Sequence, residues 1–400
     1  MLIENLSFFI DRRMRQEALA LRQAGYEVSV ICPKGGHQDR KGFEIFEGIR
    51  IYRYPLYWQA RSGPGYLLEY SWAMLCTFLL LVWIFFTYGF DCIHAANPPD
   101  LFFFLYLPFG LLGKKFVYDQ HDLCPELYES KFNRKDWVHR ILLKLERYSY
   151  CSASLVITTN KSYYDIARLR GGVSAETLTI VRSGPDLQHF RRTEPQPALK
   201  LGFAYMVAYL GVMGVQDGVD RVIMAAYHLK QIRRAKDVLF ALIGKGDQWD
   251  RLRQQACDLG LDGSILFTGR IPDADVLQYL STADVCVAPD PPAPLNHLST
   301  MNKIMEYMAC GKPIVSFDLL ETRRSAQEAA VYVECDDPKL LAEKINALLV
   351  DPQRCQEMGD YGFARVCSEL PWSHSANKLI DAYSRLEPIS TLSQAQPELE

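Results

Sequence analysis

The chain has 400 residues, enough for two domains of about 200 residues, each with its own core. Its composition, 49% hydrophobic and 23% charged, is that of a globular protein and excludes a disordered one. The net charge of −3 excludes the basic footprint of a nucleic-acid binder. The local cluster Asp11-Arg12-Arg13-Met14-Arg15 suits at most a small anion. Eleven cysteines, scattered and without a Cys-x-x-Cys pair, read as reduced thiols of a cytoplasmic protein rather than a disulfide framework or zinc site. Met1-Leu2-Ile3 runs straight into Glu4 and Asn5, so no signal peptide is expected. The first strand is then unusually short, which implies a misplaced start or a trimmed strand.

The first half alternates helix and strand. Met14, Ala18 and Leu21 give Arg13–Ala24 a helical spacing. Gly25 stops that helix, and Tyr26–Val30 alternates as a strand. A second strand is expected at Ile49–Tyr54. The stretch from Tyr70 to Tyr88 is nearly all apolar and close to bilayer-spanning length. It reads as a buried core helix, a transmembrane span, or a helix packed on one side and lying in the lipid interface on the other. The last is preferred, because a span would split the sheet between Ile49–Tyr54 and the strand Phe90–Ala95. Tyr70, Trp72, Trp83 and Tyr88 suit that boundary. A second apolar patch covers Leu101–Leu107. The strands Phe116–Tyr118, Leu155–Thr158 and Leu178–Val181 follow, with a helix at Val138–Tyr150. Two strand ends carry polar groups: His94–Asp100, and Asp119–Glu126 with His121, Asp122 and Glu126.

A polar, proline-bearing linker at Arg191–Pro197 precedes a second series of strands. These are Tyr205–Leu210, Val238–Ile243, Ile265–Phe267, Val285–Ala288, Pro313–Phe317 and Ala330–Val333. Strands alternating with helices imply parallel sheets covered on both faces. The fold class is therefore α/β, with two doubly wound, Rossmann-like domains facing a central cleft. The expected divisions are 1–190, 191–370, a terminal helix 371–387 crossing back to the first domain, and a polar tail 388–400. Ligands in such folds sit at the carboxyl ends of the strands.

The strongest chemical signal runs from Ser299 to Val315. It reads as a loop, a helix capped by Ser299 or Thr300, Gly311 as its terminator, and a strand. Free N–H groups at that helix N-terminus form an anion site. Lys303 in the first turn adds positive charge, and Glu306 one turn on can accept from a ribose diol. Tyr209–Asp220 is a strand, a glycine turn with Gly211 and Gly214, and a helix start. Ile243–Asp247, with Gly244 and Lys245, and Phe267–Pro272, with Arg270, are further strand ends.

Together these segments resemble the large retaining glycosyltransferase family 4 of the GT-B fold, from residue 4 to about residue 386. The helix is similar to the subgroup that carries Asn-Lys-x-x-Glu-Tyr-Met-Ala. The resemblance implies transfer of a sugar, with retention, from a UDP- or GDP-sugar to a lipid-linked or glycan acceptor. It places Gly211, Gly214, Gly244, Lys245, Arg270, Ser299, Thr300, Asn302, Lys303 and Glu306 at the donor. It places His121 beside the transferred sugar, with Lys303 and Glu306 assisting the chemistry. Asn5, Arg12, Arg13, His94, Asp122 and Glu126 fall on the acceptor side. The chain departs from the family at Leu298, where a first Glu is usual, and at Val212 and Asp217, where many members carry Arg and Lys. Arg182–Asp186 resembles an interdomain Asn-Gly-x-Asp signature, with Ser183 in place of Asn. No Asp-x-Asp pair sits where a metal would bridge the diphosphate, so neither metal nor cofactor is expected beyond the donor. The apolar helix suggests a peripheral position on the cytoplasmic face of an inner membrane, in cell-surface polysaccharide synthesis. Two rival readings are a nucleotide-sugar epimerase of the same fold and a catalytically silent, donor-binding partner subunit.

Overall fold

The computed structural model describes residues 1–35, 39–56, 63–185, 187, 190–233 and 237–386. Asp186 and the tail 388–400 lie outside them. The chain divides into two compact units. Unit 1 holds Met1–Glu129, Arg134–Arg182 and the chain from Ser375 on; unit 2 holds Ser183–His374 with Ser130–Asn133.

Unit 1 contains strands β1 (Ser29–Pro33), β2 (Phe43–Phe46), β3 (Ile49–Tyr54), β4 (Cys92–Ala96), β5 (Lys115–Gln120), β6 (Leu155–Thr158) and β7 (Leu178–Ile180). Its helices are α1 (Arg12–Gln23), α2 (Gly63–Thr87), α3 (Phe102–Gly110), α4 (Cys124–Phe132), α5 (Trp137–Ser152) and α6 (Lys161–Leu169). The strands form two runs, β1-β3-β2 and β4-β5-β6-β7. The segment around Leu2 bridges them, pairing in parallel with both Ile31 and Ala95. The short first strand is thus the central one of the unit, and the loop after it opens beside the end of β4. Strand β1 begins three residues later than the alternation of Tyr26–Val30 suggests, because its pairing with β3 runs from Ser29 to Pro33. Strand β2 was not legible in the sequence. It joins β3 through Glu47 and Gly48, both at positive φ, the geometry of a tight hairpin without the usual Asn-Gly or Asp-Gly signal.

Unit 2 contains β8 (Tyr205–Leu210), β9 (Val238–Ile243), β10 (Ile265–Gly269), β11 (Val285–Ala288), β12 (Ile314–Phe317) and β13 (Ala330–Val333). Its helices are α7 (Val219–Arg233), α8 (Trp249–Asp258), α9 (Asp273–Thr282), α10 (Pro294–Leu298), α11 (Asn302–Ala309), α12 (Leu320–Ala326), α13 (Pro338–Leu349) and α14 (Pro352–Ser368). A last helix, α15 (Trp372–Ser384), leads back into unit 1. The sheet is wholly parallel in the order β10-β9-β8-β11-β12-β13. Its strands are buried on both faces, so they read as continuous apolar runs. Phe240 and Leu242 pack with Val207 and Tyr209 in one layer, while Leu239, Ala241 and Ile243 pack with Met206 and Ala208 in the other. Burying each large aliphatic side chain contributes roughly 1.5–3 kcal/mol.

Helix α2 narrows the readings of the apolar stretch. Ala73, Thr77, Leu81 and Ile84 are buried at helical spacing, with Leu81 and Ile84 against Ile31, Tyr52 and Tyr54. Leu68, Leu75, Leu79, Trp83 and Phe86 form an exposed stripe. Only 22% of the segment Leu68–Thr87 is buried, so it is not an enclosed core helix. Trp72 is half-buried and spends its indole N–H on the Pro55 carbonyl at 2.8 Å.

Candidate active site

In unit 2 the strand order reverses between β8 and β11, the place where doubly wound sheets bind ligands. Three side chains converge there. Tyr307 of α11 accepts from the Leu210 N–H at 2.8 Å and donates to the Val287 carbonyl at 3.1 Å. It thereby pins α11 across the ends of both strands. Lys303, on the same helix, is buried; its Nζ lies 2.8 and 3.0 Å from the two carboxylate oxygens of Asp290, just past β11. The ammonium also sits 5.0 Å from the Tyr209 ring centroid. Asp217 lies close enough to feel this charge. Burial pushes its carboxyl up, and Lys303 opposes the shift.

The expected capping of α11 is corrected. Ser299 belongs to the end of α10, where its hydroxyl donates to the Leu295 carbonyl at 2.9 Å, and Thr300 lies between the two helices. The N-cap of α11 is Met301, which supplies no side-chain acceptor. The first-turn N–H groups of Asn302 and Lys303 are therefore not capped by it, as an anion site requires. Lys303 also departs from expectation: its charge is held by Asp290 rather than presented unopposed. Glu306 stands three residues on, half-buried.

The glycines at these strand ends serve the backbone itself. A Cβ on Gly244, at φ +128°, would fall 1.9 Å from the Gly211 carbonyl oxygen. The loops after β8 and β9 can touch only because Gly244 has no side chain. Gly214 donates its N–H to the Asp217 carboxylate at 2.9 Å. Asp217 is thus the turn's own cap, which explains its presence where a cation is usual. Lys245 is exposed, with its ammonium 5.6 Å from the Trp249 ring centroid. Arg270 is exposed directly after β10.

In unit 1 the end of β5 carries a buried polar cluster. Arg13 Nη2 lies 2.9 Å from Asp119 Oδ1, and its Nη1 donates to the Val181 carbonyl at 2.6 Å. His121 Nε2 is 2.6 Å from Asp119 Oδ2 and 2.9 Å from Arg13 Nε. The backbone N–H groups of His121 and Asp122 both donate to Asn97 Oδ1, at 2.7 and 3.1 Å. The loop that carries the histidine is fixed at both its backbone and its ring.

Three of the residues expected on the acceptor side have partners of their own within the unit. Arg13 is buried and engaged with Asp119, so it holds the cluster from beneath. His94 is 2% exposed; its Nδ1 stands 2.6 Å from the Tyr383 hydroxyl of α15, and burial lowers its pKa. Glu126 is bound by Arg170 at 2.5 and 3.2 Å. Arg170 also reaches Glu146 at 2.6 Å, whose carboxyl burial pushes to about 7. Asn5 and Arg12 remain exposed, and Asp122 is half-buried. Asp119, Asn97, Asp290 and Tyr307 were not singled out from sequence, since their roles depend on partners distant along the chain.

A family model described as a glycosyl transferase 4-like domain matches residues 10–184, and one described as glycosyl transferases group 1 matches residues 204–351. Sucrose-phosphate synthase from Thermosynechococcus elongatus has a similar structure, with a TM-score of 0.76 at 22% identity, over 93% of this chain and 92% of that one. The chain is a glycosyltransferase of the GT-B type. This glycosyltransferase is 24% identical over 298 residues to alpha-maltose-1-phosphate synthase of Mycolicibacterium smegmatis, covering 69% of its own length and 74% of the relative's. It is also similar in structure to Anabaena HepE in complex with UDP-glucose, with a TM-score of 0.69 at 18% identity, over 93% and 94% of the two chains.

The Lys303–Asp290 pair yields a direct test. Asp290→Asn leaves a buried ammonium without its counter-ion, expected to cost roughly 3 kcal/mol of stability. A bound diphosphate replaces the lost charge. Inorganic pyrophosphate is therefore expected to raise the melting temperature of the variant more than that of the wild type, measured by thermal unfolding.

Proposed function

We propose that the protein transfers a sugar, with retention, from a UDP- or GDP-sugar to a lipid-linked or glycan acceptor at a membrane surface. The observation that carries the donor half is the arrangement at the β8/β11 reversal. It combines the uncapped first turn of α11, the Lys303–Asp290 pair beneath it, and Glu306 one turn along. The donor diphosphate lies on the N–H groups of Asn302 and Lys303, where the helix dipole favours negative charge. Glu306 accepts from the ribose hydroxyls. As the bond to the sugar breaks, negative charge grows on the leaving diphosphate. Fixed donors and the nearby Lys303 stabilise it without reorganising. In the family-4 resemblance His121 meets the transferred sugar. Asp119 holds its Nε2 side, leaving Nδ1 for a sugar hydroxyl. Lys303 supplies the cationic charge, so the transfer is read as metal-independent.

The membrane half rests on two surfaces of unit 1. One is the exposed apolar stripe of α2, continued by Phe104, Leu107 and Leu111 at α3. The other is the outer face of α5, where Trp137, Ile141 and Tyr148 are exposed among Arg140, Lys144 and Arg147. From 134 to 151 every exposed charge is positive. The rings of Phe85 and Phe109 lie 5.3 Å apart, and those of Phe103 and Tyr148 5.8 Å apart, so α3 links the two surfaces. Apolar and aromatic residues beside cations are the signature of binding to an anionic lipid interface.

Incubation with UDP-, GDP- and ADP-sugars, with and without membrane lipid extract, tests the reaction through release of nucleoside diphosphate. Release from one donor, stimulated by extract, unchanged by a chelator and lost in Glu306→Ala, is expected. Binding without release contradicts it in favour of a silent subunit, and an isomerised donor in favour of an epimerase. For the surface, neutralising Arg140, Lys144 and Arg147 to Gln is expected to weaken binding to anionic vesicles on the order of a hundredfold, at about 1 kcal/mol per cation removed. Vesicle sedimentation reads this, and equal binding by both proteins would contradict it.

A further inference from the structure

Two carboxyl groups in unit 1 share a single guanidinium. Arg13 Nη2 lies 2.9 Å from Glu17 Oε1 and 2.9 Å from Asp119 Oδ1, and both acids have no exposed surface. His94 Nε2 stands 3.4 Å from Glu17 Oε2 and 3.5 Å from Asp119 Oδ2. The ring and carboxyl atoms of Glu17, His94 and Asp119 fall within 4.8 Å of one another. The guanidinium already serves both carboxyls as their cation.

The charges do not balance if both acids ionise. One permanent cation faces two carboxyls, with Asp11, His94, His121, Tyr383 and the amino terminus as the other titratable groups close by. Leaving an uncompensated charge at such depth costs several kcal/mol. One proton is therefore retained, as in other carboxyl pairs held at close range. Asp119 is the acid with the aligned donor, Arg13, and with the His121 ring 2.6 Å from its other oxygen. Glu17 has the ion-pair contact of Arg13 Nη2, but neither of its oxygens completes a well-aligned hydrogen bond among the described residues. A proton on Glu17 turns its approach to Asp119 from a repulsion into a hydrogen bond.

We propose that Glu17 is a positioning residue, a neutral carboxylic acid that leaves Asp119 as the anion paired with Arg13 and so fixes the His121 ring. Burial pushes Glu17 well above its ordinary 4.5, Arg13 opposes this, and Asp119 adds to it. Burial also works against ionisation of Asp119, but Arg13 and His121 hold it well below its usual range. The stability that the neutral Glu17 contributes is present below pH 4.5 and is lost as pH rises through its folded value. Ionised Glu17 would repel Asp119 and release the ring, so activity falls on the alkaline side.

The kinetic part rests on the sugar-transfer reading, and the spectroscopic part does not. Infrared difference spectra of the full chain at pH 7, wild type minus Glu17→Gln, are expected to show the carbonyl band of a protonated carboxylic acid. In the donor-release assay the amide, an isostere of the neutral acid, is expected to exceed Glu17→Ala in kcat by roughly tenfold to a hundredfold, with donor KM little changed. The wild type's alkaline loss of rate is expected to be absent from Glu17→Gln. A missing infrared band, or an amide variant as impaired as the alanine one, overturns the proposal. If Glu17→Ala does not fold, the infrared spectrum and the pH profile of Glu17→Gln decide. If the wild type turns over no donor, the transfer reading fails and the infrared result still decides the protonation of Glu17.

Discussion

Both units place a buried cation against a buried carboxylate at the carboxyl end of a parallel sheet. In unit 2 it is Lys303 with Asp290, and in unit 1 Arg13 with Asp119. Burying an ion pair contributes little net stability, because desolvation offsets the attraction. What each pair provides is placement. Lys303 fixes the first turn of α11 over the β8/β11 reversal, and Arg13 fixes the aspartate that orients His121. Removing one partner leaves the other charge stranded, so each pair tolerates little change.

The surrounding elements follow from holding these pairs in place. Tyr307 satisfies backbone groups of β8 and β11 from a single hydroxyl, which stops α11 from sliding. Gly244 lets two loops touch backbone to backbone, bringing the ends of β8 and β9 level. Asn97 gathers the N–H groups of His121 and Asp122. In each case a polar group that would be costly if unpaired instead sets a geometry.

The sheets were legible because parallel strands buried on both faces leave unbroken apolar runs. Val238–Ile243 and Leu155–Thr158 have the bounds read from sequence. The hairpin strand β2 was hidden because it alternates at an edge and turns through Glu47-Gly48. The start of α11 was misplaced for a local reason: Ser299 has the chemistry of an N-cap, yet its hydroxyl closes the short helix before it. The ion pairs were illegible for a different reason. Arg13 and Asp119 are 106 residues apart, and no local pattern shows that a strand end will meet a first-turn arginine. His94 and Glu126 looked like ligand contacts because sequence reveals ionisable groups at strand ends, not that Tyr383 and Arg170 engage them.

The account's central claim is that α11 carries the donor diphosphate. A crystal structure with a nucleoside diphosphate bound tests it most directly. Diphosphate oxygens within hydrogen-bonding distance of the Asn302 and Lys303 N–H groups, with the ribose on Glu306, are the predicted result. A nucleotide seated away from α11 would contradict it.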